Sequence, residues 1–175
     1  MRQALKLHPD SRCPAITAIE VDVVRPGIST LSLSYVVTGE IGALRIPPIA
    51  TSARADELWR HTCFEAFVRS APGAAYYEFN FAPSTQWAAY RFDKYRAGMR
   101  VAAEFGAPRI EVRSAPRRFT LQAELTGLPD GIWSLGLSAV IEEAGGGLSY
   151  WALAHPPGKP DFHRADCFTC EIRQP

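Results

Sequence analysis

Lysine is scarce in this 175-residue chain: Lys6, Lys94 and Lys159 stand against sixteen arginines. No lysine-rich stretch is present to grip a polyanion, and 19 basic against 18 acidic residues leave a formal net charge of +1, so the electrostatic footprint of a nucleic-acid binder is missing. Arginine in place of lysine also follows genome composition and by itself points to no function. Long apolar runs are missing as well. No stretch approaches the roughly 18 apolar residues that cross a bilayer, and residues 1–14 alternate polar and apolar without the apolar centre of an export signal. The expectation is a cytoplasmic protein with no membrane partner. In that compartment the four cysteines, Cys13, Cys63, Cys167 and Cys170, are expected as free thiols. Cys167 and Cys170 have the CxxC spacing of zinc and redox sites, but in an extended run a three-residue offset turns the two thiols to opposite faces.

Apolar residues and rings are plentiful. With 47% hydrophobic residues against 21% charged, the chain can bury a sizeable core, and its length suits one domain over residues 1–175. Short alternating runs bounded by Gly, Pro, Ser or Asp recur at 16–24, 30–37, 63–69, 76–81, 87–93, 109–113, 118–125, 132–141, 148–153 and 167–173. These predict an all-β chain of about ten strands, an antiparallel β-sandwich of jelly-roll type. In 30–37 the alternation is explicit, with Leu31, Leu33, Tyr35 and Val37 on one face and Ser32, Ser34 and Val36 on the other. One short helix is expected at 95–105, and the stretches 41–54 and 155–164, rich in Pro and small residues, read as long loops.

Residues 57–81 carry the most information. Around the turn-prone stretch 70–75, pairing of residue 69 with 76 sets Glu65 opposite Asn80 and Phe67 opposite Glu78. That register puts the polar groups on one sheet face, sends Phe64, Ala66, Val68, Tyr77, Phe79 and Phe81 to the core face, and brings Trp59 and Trp87 together at the open end of the hairpin. A carboxylate, a carboxamide and an indole in one region suit a small ligand that is polar at its edges and apolar on a face. Sugars have that character.

The segment Leu58-Trp59, five residues, then Glu65-Ala66-Phe67-Val68, followed by Tyr76-Tyr77-Glu78-Phe79-Asn80-Phe81, resembles family nine carbohydrate-binding modules and the wider DOMON-like superfamily. The resemblance implies a β-sandwich, a clamp of two Trp rings around a terminal sugar, and no catalysis. Carried over by position, Trp59 matches the first clamp ring and Glu65 a sugar-binding Glu. Asn80 stands where a polar residue, often Arg, binds sugar. Residues 161–168 resemble the loop of the second ring, with Phe162 in place of Trp. Thr62 stands where the family motif often has an acid, and the acidic N-terminal segment tied to a structural calcium is missing. Trp87, Arg91, His155 and Lys159 complete the expected ligand contacts.

Other chemistries are weighed on the same residues. His61, His155 and His163 lack a regular ligand spacing, so no metal is expected. Some members of the superfamily hold haem with Met and His; here Met99 is the only internal methionine, and no cofactor is expected. The main rival is an enzyme with Glu65 and Glu78 as the acid–base pair of glycoside hydrolysis. No nucleophile elbow, phosphate loop or HExxH accompanies them. The sequence therefore leads to the expectation of a non-catalytic module for a small polar ligand, a carbohydrate, held between ring platforms at one rim of the sandwich.

Overall fold

The computed structural model describes residues 1–71 and 73–175, so the expected turn at 70–75 falls partly on Pro72, outside the described residues. Among the described residues the chain forms twelve strands: β1 (Arg2–Leu7), β2 (Ile16–Gly27), β3 (Thr30–Gly39), β4 (Cys63–Ser70), β5 (Tyr76–Phe81), β6 (Trp87–Phe92), β7 (Arg100–Val101), β8 (Arg109–Ala115), β9 (Arg118–Leu125), β10 (Trp133–Glu142), β11 (Leu148–Ala152) and β12 (Cys170–Ile172). Among the same residues helical structure is confined to single 3-10 turns at Ile41–Ala43, Leu58–Arg60 and Ala165–Cys167. Among the described residues no helix is long and apolar enough to cross a membrane.

The strands make two antiparallel sheets, as the alternating runs predict. The first runs β1-β2-β3-β9-β8 and the second β7-β6-β5-β4-β10-β11-β1, with β12 added beside β10. Strand β1 joins them: residues 2–5 pair with β2, then Lys6 and Leu7 pair with Ala152 and Trp151 of β11. Between the sheets lies the main core. Strict alternation brings Leu31, Leu33, Tyr35 and Val37 from β3, Phe119, Leu121 and Ala123 from β9, and Phe64, Ala66 and Val68 from β4 to the same side. Phe64 of one sheet stacks on Phe119 of the other with centroids 5.8 Å apart. Each fully buried ring or Leu here contributes about 2 kcal/mol or more to folding.

The two sheets differ on their outer faces. Those of β2 and β9 carry half-buried or exposed polar residues, whereas β4 and β10 are buried on both sides. A second apolar cluster covers the outer face of the second sheet. It contains Phe67, Tyr76, Tyr90, Phe92 and Val140 from the strands and Phe162, Cys167 and Phe168 from the chain between β11 and β12. At Gly136 the fit is close, since an added Cβ would lie 3.4 Å from Phe67 Cβ and 3.4 Å from the Cys167 carbonyl oxygen. The stretch 155–164, expected as a loop, is one, and it lies over this outer face.

Three expectations need correction. Residues 95–105 form no helix: Arg96 at φ 48° and Gly98 at φ 68° take left-handed conformations that end any helical run, and β7 then pairs with Tyr90 and Arg91 of β6. The alternation in residues 1–14 marks a strand, β1. The expected strand 167–173 shrinks to Cys170–Ile172, because Phe168 turns into the outer cluster. Even so Cys167 and Cys170 do lie on opposite sides of the sheet, one in each apolar cluster, and all four cysteines are free and buried.

Candidate functional site

The β4–β5 register is the one the sequence predicts: Glu65 opposes Asn80, Phe67 opposes Glu78 and Val68 opposes Tyr77. Strand β6 extends it, with Glu78 opposite Tyr90 and Tyr76 opposite Phe92. Alternation then gathers Glu65, Phe67, Tyr76, Glu78, Asn80, Tyr90 and Phe92 on the outer face of the second sheet. Over that face opens a cavity of about 420 Å³. Glu65, Phe67, Glu78, Tyr90, Phe92 and Val140 line it from the strands, and Trp59, Arg96, Met99, Tyr150, Pro160, Phe162 and His163 line it from around them.

Each polar group is held by a specific partner. Ser138 Oγ donates to Glu65 Oε2 at 2.8 Å, and Asn80 Nδ2 donates to Glu78 Oε1 at 2.8 Å. The Tyr90 hydroxyl donates to Asp56 Oδ1 at 2.6 Å. The Arg96 guanidinium grips Asp161 Oδ1 from Nε and Nη2, at 3.1 and 2.8 Å, while the Tyr95 hydroxyl donates to Asp161 Oδ2 at 2.5 Å. The Arg96 backbone N–H donates to the Tyr76 hydroxyl, which lies 2.8 Å from His163 Nδ1. When that hydroxyl donates to Nδ1, the ring proton sits on Nε2, which faces Glu78 Oε2 at 3.6 Å. His163 is further fixed edge-on against Phe67, Tyr76 and Phe92.

Burial governs the protonation of these groups. Desolvation, followed by repulsion from Glu78, pushes the Glu65 carboxyl up to about 8, and desolvation also raises Glu78. At neutral pH the pair therefore retains a proton. Desolvation, with help from the Arg96 charge, pushes His163 down to about 4, so it stays neutral. Glu65 can donate as well as accept, and Arg96 supplies a fixed cation; the floor thus offers both kinds of hydrogen bond within a ring-lined pocket.

Of the residues expected to contact ligand, Trp59, Glu65 and Phe162 line one cavity. Trp59 stands 45% exposed at its mouth, while Phe162 is buried in its wall. Asn80 is fully buried and does not line the cavity; it holds Glu78 in place and accepts a contact from the Cys63 thiol at 3.8 Å. The other four lie elsewhere. Trp87 opposes Phe81 and so belongs to the core between the sheets, its ring capped by Arg54 at 4.2 Å, rather than pairing with Trp59. Arg91 opposes Tyr77 on the same inward side and lies 5.7 Å over that ring. His155 Nε2 donates to the Lys6 carbonyl at 2.7 Å and Lys159 is exposed on the covering loop. The site also lies over a sheet face rather than at the rim of the sandwich.

Sequence reasoning missed Tyr90, Phe92, Tyr150 and Arg96. Carrying the β4–β5 register one strand further would have found Tyr90 and Phe92; Arg96 left no such signal, because it comes from a turn that only the folded chain brings over the sheet. Met99 and His163, the pair a haem would need, both line the cavity, but His163 is tied by Tyr76 at Nδ1 and turned to Glu78 at Nε2, which does not fit axial ligation. His61 is bound elsewhere, to Glu142 at 2.7 Å. Among the described residues no three His, Cys, Asp or Glu side chains are grouped so as to hold a metal ion.

No protein-family model and no curated protein sequence matches the chain. Solved structures do. A candidate carbohydrate-binding protein from Bacteroides uniformis superposes with a TM-score of 0.67 at 13% identity, over 97% of this chain and 84% of that one. A family nine carbohydrate-binding module from Caldicellulosiruptor kristjanssonii, solved with glucose, gives 0.52 at 11% identity over 89% and 75%. Its complex with cellotriose gives 0.51 at 10% identity over 90% and 74%. At such low identity the likeness is one of architecture, and the chain has the fold of family nine carbohydrate-binding modules.

Proposed function

We propose that this protein binds a small carbohydrate in the cavity over Glu65 and Glu78 without turning it over. One observation carries the reading: a ring-walled cavity whose floor presents two buried carboxyl groups and an arginine, on a fold whose solved neighbours hold glucose and cellotriose. Its volume of about 420 Å³ suits a ligand of one or two sugar rings. Trp59 at the mouth and Phe162 in the wall supply flat apolar surface for C–H faces, while Glu65, Glu78 and Arg96 meet hydroxyls. With a net charge of +1, the partner is a small molecule and not a polyanion.

Calorimetric titration with mono- and disaccharides tests this, with Trp59→Ala as the control. Saturable binding that weakens in the variant is expected; no binding, or equal binding by the variant, refutes the site. A second reading is favoured by the proton that Glu65 keeps beside Glu78, since one protonated and one ionised carboxyl are what glycoside hydrolysis uses. Turnover of aryl glycosides that both Glu65→Gln and Glu78→Gln abolish would establish that reading in place of simple binding.

A further inference from the structure

Glu65 and Glu78 sit diagonally across the β4–β5 pair, a placement that sets Cα atoms about 7–8 Å apart and lets long side chains meet. They are only 3% and 5% exposed. Each has one oxygen committed, to Ser138 and to Asn80, while Glu65 Oε1 and Glu78 Oε2 have no hydrogen-bond donor among the described residues, and both residues line the cavity. The Arg96 charge reaches both carboxyls, but among the described residues no cation bonds either of them. The Arg96 guanidinium is held by Asp161, and His163, 3.6 Å from Glu78 Oε2, is neutral. The other titratable groups around the pair are Tyr76, bound to His163, Tyr90, bound to Asp56, the Cys63 thiol against Asn80 and the Tyr35 hydroxyl on the Glu65 carbonyl, none of them a cation. Phe67, Tyr90, Phe92 and Phe162 line the same space, and the faces of such rings attract a desolvated cation.

We propose that the ligand is an amino sugar whose protonated amine sits between Glu65 and Glu78. This rests on the carbohydrate reading above and adds the charge of the ligand. The free oxygens accept N–H bonds from the ammonium, the proton retained by the carboxyl pair leaves to solvent, and no covalent bond changes. An acetylated amine carries no charge and has no claim on this floor; a neutral hexose gains only ordinary hydrogen bonds.

The test is calorimetric titration of the full chain at pH 6.5 with glucosamine, glucose and N-acetylglucosamine, in buffers of different ionisation enthalpy. Glucosamine should bind roughly tenfold or more tightly than either neutral sugar, as charge-assisted bonds imply, with release of close to one proton. Glu65→Gln and Glu78→Gln should each reduce the ratio of glucosamine to glucose affinity, with melting curves confirming folded protein. The acetylated sugar makes the same charge test without altering the protein. If glucose binds as tightly as glucosamine, the amine proposal is overturned and the carbohydrate reading stands. If none of the three sugars binds, the carbohydrate reading falls and the amine proposal with it.

Discussion

Replacing Glu65 by Gln should remove a pH dependence from the stability of this protein. In the folded chain Glu65 titrates near 8 because it is buried beside Glu78, whereas in the unfolded chain it titrates near the usual value of 4.5. Between those values the folded state binds the extra proton, so stability is greatest at the acid end of the window and falls as pH rises through it. From pH 6 to pH 9 the folded carboxyl gives up its proton while the unfolded one has none to lose, which costs about 3 kcal/mol at about 1.4 kcal/mol per pK unit. For a chain of this length that is roughly 5–10 °C in melting temperature. Gln is isosteric, keeps a partner for Ser138 Oγ and has no proton to lose. Melting curves of both proteins at pH 6, 7, 8 and 9 should show the variant the more stable throughout, with its advantage widening by that amount from pH 6 to pH 9; the two would converge only below the unfolded value of 4.5. The thiols of Cys13, Cys167 and Cys170, raised chiefly by desolvation, weaken both proteins alike at the alkaline end, whereas Cys63, raised by desolvation and then by the Glu65 charge, adds to the advantage of the variant there. Parallel curves would refute a retained proton on Glu65.

Three further outcomes follow from the same geometry. The Tyr35 hydroxyl crosses the core to donate to the Glu65 carbonyl oxygen at 2.7 Å, so Tyr35→Phe should cost about 1–3 kcal/mol in urea unfolding; a neutral effect would mean the bond does not couple the sheets. Phe168 packs edge-on against Phe67, which lines the cavity, and against Tyr76, and Phe168→Ala should cost about 3–5 kcal/mol and weaken any sugar binding, whereas a loss below 1 kcal/mol would show the outer cluster to be loosely packed. His163 is held neutral down to about 4 against 6.5 when unfolded, so its contribution is present above pH 6.5 and is lost as pH falls to 4. A His163→Gln variant should lose less stability over that interval than the wild type, and equal acid sensitivity would contradict a buried neutral imidazole.

Much of the framework was legible because β-structure writes its faces into alternate residues. The match of Glu65 with Asn80 and Phe67 with Glu78 follows from polar and apolar positions alone, since a slip of one residue would bury both carboxylates in the main core. Trp87 and Arg91 were misassigned for a related reason. Their face depends on the β5–β6 register, in which Phe81 meets Trp87 and Tyr77 meets Arg91, and no polar pairing flagged it in advance. Strand β1 is short and pairs with a different sheet at each end, so its alternation pointed to no single partner. Arg96 and Phe162 reach the site from turns and loops whose paths are set by tertiary packing; for Phe162 the family resemblance, and not periodicity, gave the position.

The four tryptophans allow a direct test of where the ligand sits. Trp59 lines the cavity mouth, while Trp87, Trp133 and Trp151 belong to the core between the sheets. In a titration of the labelled protein with glucosamine or glucose followed by nuclear magnetic resonance, the Trp59 indole N–H signal should move saturably and disappear from the spectrum of Trp59→Ala, with the other three indoles nearly still. A sugar that leaves the Trp59 signal in place, or moves the Trp87 signal instead, would contradict binding over Glu65 and Glu78.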